Sequence, residues 1–362
     1  METLDCASRK SVSLALQGGG SHGAFTWGVL DCLLADGRLS IAGLSGTSAG
    51  AVNAVALASG LATAQGSADA QATASRGVLT QVWEDVGHWG ALGELHSRFG
   101  RALWGGFGHE WARSSLHALS TLVSPYQANP LNLNPLRDLL ARRIDFEAIR
   151  APGRPPVFVS ATHVSTGKAR IFHGARLNAD AVLASASLPT LFPAVEIDAE
   201  PYWDGGYAVN PPLTPLIDSC GDADIVIIQI NPLRREGAPR TAREILDRMN
   251  ELTFNASLLT QVRAIDLINR MLAEGSLAPG TRKLVRLHRI DGGADMLAYS
   301  AASKSRSSPT LLRELFAIGQ AAARRWLDAH YDDLGRHGTI NIADDYLDDT
   351  RLDWRSSTLP GC

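Results

Sequence analysis

The sequence predicts an α/β fold with a mainly parallel central sheet. Residues 11–17 (SVSLALQ) alternate polar and apolar side chains, as a strand does, and lead into three glycines. Residues 22–35 then carry apolar side chains at helical spacing, and Gly37 follows as a helix stop. A second short strand over 39–45 leads through a tight turn into the small, apolar segment 49–60, which predicts a buried helix. This order of elements is typical of a parallel sheet.

Later segments extend the same pattern. Further strands are predicted over 157–163, 169–173, 225–230 and 284–290, and long helices over about 241–273 and 309–328. The segment 60–76, rich in Ala, Gln and Ser, is compatible with either a helix or a mobile stretch. We expect one catalytic unit over 11–232 and a mostly helical C-terminal extension over 233–362 that packs on it.

Composition excludes several classes of protein. The chain has 362 residues, of which 45% are hydrophobic and 20% charged, so a disordered chain is excluded. Lys and Arg number 34 against 37 for Asp and Glu, and without a basic excess we expect no nucleic-acid partner. The most apolar stretch, 49–64, is interrupted by polar residues and falls short of the roughly 20 residues that span a bilayer. The N-terminus lacks a basic region and predicts a first strand rather than a signal peptide.

The cysteines and acidic residues predict neither a disulfide framework nor a metal site. Cys6, Cys32, Cys220 and Cys362 lie far apart and form no CxxC pair. The chain contains no HExxH motif and no acidic loop with EF-hand spacing. We therefore expect no metal and no cofactor, and a reducing cytoplasm as the location.

A glycine loop follows the first strand. Gly18, Gly20 and Gly23 match the dinucleotide pattern GxGxxG, but that interpretation requires an acidic residue at the end of the second strand. The nearest acid, Asp36, precedes that strand, so the dinucleotide interpretation fails. The loop instead suits an oxyanion hole, because the backbone N–H groups of Gly18, Gly19 and Gly20 can approach an oxygen closely. From these residues alone, a plain turn remains the alternative.

Gly46-Thr47-Ser48-Ala49-Gly50 is a GxSxG pentapeptide between a predicted strand and a predicted helix. A serine on such a turn projects from the sheet edge, and its neighbours must be small because backbone and helix crowd together. This context predicts Ser48 as a nucleophile, with Gly46 and Gly50 leaving the space it needs.

Residue chemistry leaves the base for this serine open. His288 would satisfy the usual order of serine, acid and histidine, but it lies in an alternating strand segment. Asp204, followed by Gly205 and Gly206, would serve once burial raised its pKa. An Asp-Gly pair is also the ordinary signal of a hairpin turn, and the same tripeptide recurs at 291–293.

The motifs GGGSHG (18–23), GTSAG (46–50) and DGG (204–206), in this order, resemble the patatin-like phospholipase family. The blocks ASASLPTLFPAVEID (184–198) and NPP (210–212) strengthen the resemblance, which covers more than half of the chain. It implies a three-layer α/β/α patatin-like fold with extra helices.

The resemblance also implies roles for single residues. Ser48 would attack an ester carbonyl, Asp204 would remove its proton, and the amides of Gly18, Gly19 and Gly20 would hold the oxyanion. It selects Asp204 over Asp291, because only Asp204 has the flanking residues of the family. Gly23, Gly46, Gly50, Gly205 and Gly206 are the remaining motif glycines.

The implied activity is that of a lipid acyl hydrolase of phospholipase A or lysophospholipase type, with a lipid ester as substrate. The alternatives are an esterase, thioesterase or storage-polyester hydrolase with the same dyad, and a non-catalytic lipid-binding protein. Many family members carry Arg or Lys where this chain has His22, so the preference for phospholipid stays open.

A segment rich in aromatic residues follows the second helix. Its members are Trp83, Trp89, Phe99, Trp104, Phe107 and Trp111. These side chains would line an acyl tunnel or form a lid that touches a membrane, since Trp favours sites that are apolar on one side and wet on the other. The alternative is simple packing within the helical layer, which the sequence favours. Peripheral membrane contact is compatible with the first interpretation, and the oligomeric state is not indicated.

Overall fold

A mixed, mainly parallel sheet forms the centre of the computed structural model, which describes residues 9–103, 124–130, 132–278 and 280–347. The strands are β1 (Lys10–Leu16), β2 (Leu39–Thr47), β3 (Val157–His163), β4 (Ala169–Phe172), β5 (Val195–Ile197), β6 (Glu200–Asp204), β7 (Asp224–Gln229) and β8 (Arg286–Asp291). Their order is β5-β6-β3-β2-β1-β7-β8, with β4 paired to β3 off this path. Strands β3, β2, β1, β7 and β8 are parallel, and β4, β5 and β6 pair antiparallel.

Helices cover both faces of this sheet. They are α1 (Gly23–Asp36), α2 (Ala49–Thr63), α3 (Ala68–Leu103), α4 (Pro125–Ala128), α5 (Pro135–Arg143), α6 (Phe146–Arg150), α7 (Ala179–Ser185), α8 (Thr214–Ser219), α9 (Ala242–Ala273), α10 (Gly293–Leu297), α11 (Pro309–His330) and α12 (Ile342–Tyr346). The segment 60–76, which the sequence left open, is mostly helical, since α2 runs to residue 63 and α3 starts at residue 68.

Alternation along the buried strands divides the core into two layers. Val226 and Ile228 of β7 belong to the larger apolar cluster, which includes side chains of α1, α2, α3 and α11. Ile225 and Ile227 of the same strand belong to a second cluster with α8 and α9. A strand that is buried on both faces reads as a continuous apolar run, as 225–230 does. The α/β fold class predicted from the sequence is therefore confirmed, with helices on both sides of the sheet.

The C-terminal part of the chain joins this architecture directly. Strand β8 pairs with β7 along its full length, from Asp224 opposite Arg286 to Gln229 opposite Asp291. Helix α11 packs against α1, the first helix of the chain. The division into units at residue 232 stays a prediction, but the residues after it contribute both sheet and core. No helix within the described ranges is long and apolar enough to cross a membrane.

The contact between α1 and α11 is close enough to exclude a side chain at Gly319. A Cβ atom there would lie 3.0 Å from the backbone nitrogen of Val29 and 3.0 Å from the carbonyl carbon of Phe25. Gly77, in helix α3, has open space around the same position. The two glycines are therefore a matched pair for testing how closely α11 packs against α1.

We expect Gly319→Ala to destabilise the fold by about 1–3 kcal/mol, because the added methyl overpacks a backbone contact. Gly77→Ala should instead stabilise it by about 0.5–1 kcal/mol, because alanine is the better helix former and nothing obstructs it. Urea unfolding of both variants measures the difference in the free energy of unfolding. Equal stabilities of the two variants would contradict the close seating of α11 on α1.

Candidate active site

Ser48 occupies a strained position between β2 and α2. Its φ is 55°, in the left-handed region that residues other than glycine rarely adopt. Neighbouring side chains hold the turn: the Ser48 N–H donates to Ser185 Oγ at 2.8 Å, and Thr47 Oγ1 donates to the Val209 carbonyl at 2.9 Å. The strain and these contacts together fix the serine at the carboxyl end of the parallel strands.

The sheet register brings Asp204 to the same level as Ser48. Thr47 at the end of β2 pairs with Ser160 of β3, so the next residue, Ser48, is level with Ala161. Ala161 in turn pairs with Asp204 at the end of the antiparallel strand β6. The serine and the aspartate therefore flank one strand, and both line the same cavity.

The Asp204 carboxyl group is desolvated. It has 0% exposure, Oδ1 accepts the Gly206 N–H at 2.7 Å, and Oδ2 has no hydrogen-bond partner among the described residues. Burial raises the pKa of Asp204 from 3.8 to about 7, against the lowering effect of the Ser48 hydroxyl, the Gly206 N–H and the charge of Lys304. The Ser48 hydroxyl is thus close enough to lower the pKa of this carboxyl group, although no hydrogen bond joins it to Asp204 Oδ2. A carboxyl group with this pKa is suited to proton transfer near neutral pH.

The glycine loop lies directly against the nucleophile turn. A Cβ atom on Gly18 would lie 2.7 Å from the Thr47 carbonyl oxygen and 2.8 Å from Ser48 Cβ. The Gly18 N–H donates to Asn210 Oδ1 at 2.6 Å, and its carbonyl accepts Asn231 Nδ2 at 2.9 Å. Both backbone groups of Gly18 are therefore occupied by side-chain amides.

This arrangement differs from the expectation that Gly18, Gly19 and Gly20 would act alike. Gly19 and Gly20 line the cavity beside Ser48, whereas Gly18 is outside its lining. The physical reason is that Asn210, brought in by the NPP segment, takes the Gly18 amide. Ala49, the first residue of α2, also lines the cavity, and the first N–H groups of a helix lack an intrahelical partner.

The cavity has a volume of about 550 Å³, within the usual range of ligand sites. Most of the exposed surface of its wall is apolar. Its apolar members are Ala49, Val52, Trp83, Val86, Leu136, Ala186, Leu188, Leu191, Leu246, Phe254 and Ala301. No group of three or more His, Cys, Asp or Glu in the described part of the chain is arranged to hold a metal ion.

Trp83 combines the two roles that the sequence offered for the aromatic segment. It lines the cavity, yet it is only 4% exposed and its Nε1 donates to Asn53 Oδ1 at 2.9 Å. Trp89 packs against the main core as a partly buried residue. The described residues do not include Trp104, Phe107 and Trp111. The prediction of a lid in this segment therefore stays a prediction.

A lysine from the C-terminal part of the chain is the cation of this cavity. Lys304 lies in a short turn, Ala301–Ser305, and its Nζ donates to Asn231 Oδ1 at 2.5 Å and to Asn250 Oδ1 at 3.1 Å. Burial lowers the pKa of Lys304 from 10.5 to about 8. Sequence analysis missed this residue, because no motif surrounds it and only the folded chain brings it to the glycine loop.

His22, in the glycine loop, is uncharged near neutral pH. Burial, together with the charges of Lys304 and Arg235, lowers its pKa from 6.5 to about 3. Its Nε2 forms a 2.7 Å hydrogen bond with Ser303 Oγ. This hydrogen bond therefore links the glycine loop to the Ala301–Ser305 turn.

The other candidate bases lie elsewhere. His288 is buried in β8, where it contacts Asp224 at 3.0 Å and Thr339 at 3.1 Å, and it is absent from the cavity lining among the described residues. Asp291 ends the same strand and lines a different cavity. The structure thus brings Asp204 and Ser48 together and leaves both alternatives apart from them.

The block at 184–198 supplies positioning residues to which sequence analysis gave no role. Ser185 accepts the Ser48 N–H at 2.8 Å. The Ser187 carbonyl accepts the Asp204 N–H at 2.8 Å, and its hydroxyl donates to the Pro193 carbonyl at 2.9 Å. One short segment therefore orients both the serine and the aspartate, and the family-like pattern of this block was the signal that marked it.

A comparison with models of known families identifies the family of this chain. The model of the patatin-like phospholipase family matches residues 14–217, which is more than half of the chain. The chain belongs to the patatin-like phospholipase family. Membership of this family implies lipid acyl hydrolase activity in general terms. The matched range contains the glycine loop, the nucleophile turn and Asp204, and it ends before Lys304.

Other comparisons add little to this assignment. A search of curated protein sequences finds no match. Among solved structures, VipD from Legionella pneumophila is similar to this chain, with 15% sequence identity and a TM-score of 0.39. The similarity covers 92% of this chain and 72% of VipD. A likeness at this level carries no information about activity.

We expect Asp204→Asn to stabilise the folded protein near pH 8 more than near pH 5. The folded-state pKa is raised from 3.8 to about 7, so the stability that this carboxyl contributes is fully present below about pH 4 and is lost as the pH rises through 7. Asparagine stays uncharged, so the variant does not lose this stability. Its free energy of unfolding near pH 8 should therefore be higher by roughly 1–3 kcal/mol. Urea unfolding at both pH values measures this difference in the free energy of unfolding.

Asp291→Asn is the matched control, because this aspartate also precedes two glycines but its side chain is 39% exposed. A pH-independent effect of Asp204→Asn would show that the carboxyl is not desolvated as the structure indicates.

Proposed function

We propose that this protein hydrolyses the carboxylic esters of lipids with a catalytic dyad of Ser48 and Asp204, as a phospholipase A or lysophospholipase does. The observation that carries the proposal is the fully buried Asp204, whose pKa of about 7 and orphaned Oδ2 make it a base beside a strained serine. Both side chains lie in a largely apolar cavity of about 550 Å³.

The reaction follows from these two groups. Ser48 Oγ attacks the ester carbonyl carbon while Asp204 accepts the hydroxyl proton. The tetrahedral intermediate collapses, the alcohol leaves with the proton returned from Asp204, and the acyl group remains on Ser48. Asp204 then accepts a proton from water, which attacks the acyl-enzyme, and returns that proton to Ser48 Oγ as the fatty acid leaves. The same carboxyl group acts as base and then acid in each half-reaction, which suits a pKa near the working pH.

The oxyanion of each intermediate needs backbone donors. Gly19, Gly20 and Ala49 line the cavity on either side of Ser48, and we assign their N–H groups to this role. The start of α2 adds the favourable end of a helix dipole at the same place. Gly18 holds the loop in position through its hydrogen bonds to Asn210 and Asn231.

The acyl chain would occupy the apolar part of the cavity, beside Val52, Trp83 and Val86. Each buried methylene contributes roughly 0.8 kcal/mol, so a long chain gains affinity that acetate lacks. Lipid esters with long chains are therefore better candidates than small esters.

The cavity mouth also supports contact with aggregated lipid. Leu191 and Leu246 line the cavity and are 52% and 66% exposed. Met249, one helical turn from Leu246 on α9, is 58% exposed. An apolar rim that is continuous with a substrate cavity would allow a lipid to pass from a surface into the site without crossing water.

We expect Ser48→Ala to lower kcat/KM for a long-chain ester by at least about 10³-fold, because it removes the nucleophilic oxygen. Asp204→Asn should cost about 10²–10⁴-fold, the range that one general base supplies. A fluorophosphonate probe should label the unchanged enzyme at Ser48. Mass mapping of the adduct to another serine would end the proposal.

His288→Ala and Asp291→Asn are the controls for the base. His288→Ala removes a buried partner of Asp224 and should lower the melting temperature, but the folded enzyme should keep its kcat. A loss beyond about a hundredfold in this variant would point to a histidine-based triad instead.

We expect Leu246→Asp to weaken binding to vesicles of phosphatidylcholine and phosphatidylglycerol, measured by co-sedimentation in a Ser48→Ala background that prevents hydrolysis. Burial of one leucine side chain is worth about 1.5–3 kcal/mol, so the loss should be roughly tenfold or more. Leu267→Asp is the matched control, since Leu267 is 50% exposed on the same helix but absent from the cavity lining within the described residues. Equal losses in both variants would exclude the cavity mouth as the contact.

A further inference from the structure

One part of the cavity wall, here called the charged corner, carries polar and charged side chains. Val52, Trp83 and Val86 of α2 and α3 are apolar members of the lining, whereas α9 and the chain around the Ala301–Ser305 turn contribute five polar members. These polar members are Asp247, Asn250, Lys304, Ser305 and Ser307. An ester bound at Ser48 with its acyl chain on the apolar wall would direct its alcohol part towards this corner.

We propose that Lys304 is a specificity-determining residue, which binds a phosphate on the alcohol part of the lipid ester and makes phosphate-bearing lipids better substrates than neutral glycerides. This inference rests on the proposed lipid acyl hydrolase function.

The hydrogen bonds of Lys304 leave its charge available. An ammonium group has three N–H donors, and two of them bind Asn231 Oδ1 and Asn250 Oδ1. Both partners are neutral carboxamides, so they orient the group without neutralising it. The third donor and the charge remain for a ligand in the cavity that Lys304 lines.

The nearby carboxylates act on Lys304 through their charge, but none of the described carboxylates is hydrogen-bonded to its Nζ. Glu251 accepts Arg235 Nη2 at 2.7 Å and lies 3.1 Å from Arg248 Nη1, so two arginines already pair with it. Asp247 is the other carboxylate of the corner, and it lines the cavity. Glu251 is thus already paired with two arginines, whereas Lys304 forms no ion pair within the described part of the chain.

Lys304 is also close to the reacting groups. Its backbone carbonyl occupies the space where Gly20 would carry a Cβ atom. Its charge acts directly on Asp204. Because Lys304 and Ser48 line the same cavity, a lysophospholipid, in which a glycerol unit separates the ester from the phosphate, would place its ester at Ser48 and its phosphate at Lys304.

The test compares 1-oleoyl-lysophosphatidic acid with 1-oleoylglycerol, which share the acyl chain and the ester and differ by the phosphate. We expect the unchanged enzyme to favour the phosphate-bearing substrate in kcat/KM, mainly through KM. Lys304→Met should lower that preference roughly ten- to a hundredfold, the worth of one hydrogen bond to a charged group. Lys304→Arg should restore much of it, because arginine keeps the charge.

Two further variants separate the local effect from a general change in charge. Lys283→Met removes a lysine whose Nζ binds the backbone carbonyls of Cys220 and Asp222, away from the cavity, and it should leave the preference unchanged. Asp247→Asn removes the carboxylate of the corner and should raise the preference for the phosphate-bearing substrate. An equal effect of Lys283→Met and Lys304→Met would overturn the proposal.

A measurement on the unchanged protein covers the case in which Lys304→Met does not fold. Dodecyl phosphate should inhibit hydrolysis of a short chromogenic ester at least about tenfold more strongly than 1-O-dodecylglycerol. Inorganic phosphate alone should inhibit far less, because it lacks the apolar chain. Equal inhibition by the two dodecyl compounds would overturn the proposal.

The outcomes distinguish this inference from the function on which it rests. If Ser48→Ala leaves all ester hydrolysis intact, the proposed function itself fails. If hydrolysis depends on Ser48 but both oleoyl substrates react equally well, only the role of Lys304 fails.

Discussion

The glycine loop and the nucleophile turn touch backbone to backbone, and the arrangement of the site depends on that contact. A Cβ atom on Gly18 would meet the Thr47 carbonyl oxygen at 2.7 Å, and one on Gly50 would meet the Leu16 carbonyl carbon at 2.7 Å. Side chains are therefore excluded where β1 and β2 end and the helices that follow them begin. The backbone groups in this crowded region need partners, because burying an unpaired N–H or C=O is costly. Carboxamide side chains supply them: Gln17 Oε1 accepts the N–H groups of Ile230 and Asn231 at 2.8 and 2.7 Å.

The Asp204 carboxyl group is desolvated in this closely packed region. A buried carboxylate without a full set of hydrogen bonds is unfavourable, and that cost is what raises its pKa to about 7. The protein tolerates this because the β3–β6 pairing, the Ser187 carbonyl and the Gly206 N–H hold the aspartate in place. The same burial that weakens the folded state at high pH keeps the aspartate beside the serine. Under the proposed function, stability and reactivity are therefore opposed at this one side chain.

The C-terminal region completes a site whose motifs all lie before it. It adds β8 to the sheet, seats α11 on α1, and contributes Phe254, Asn250 and Lys304 to the cavity wall. The Ala301–Ser305 turn reaches the glycine loop through the hydrogen bond of Ser303 to His22. The family match ends at residue 217, so these contributions belong to the part of the chain outside it. Lys304, a cation that lines the cavity beside Ser48, consequently comes from a segment without a motif.

The sequence by itself predicted the elements and the candidate reactive residues, because both predictions depend on local patterns. Strand alternation, helical spacing and glycine-rich turns act over a few residues, and the family resemblance selected Asp204. Only the tertiary structure decided the rest: that Ser48 and Asp204 flank Ala161, that the Gly18 amide is taken by Asn210, and that Lys304 enters the cavity. Each of these depends on sheet register or on contacts between residues far apart in the chain. The energy of such contacts comes from burial and hydrogen bonding between distant segments, which no local pattern encodes.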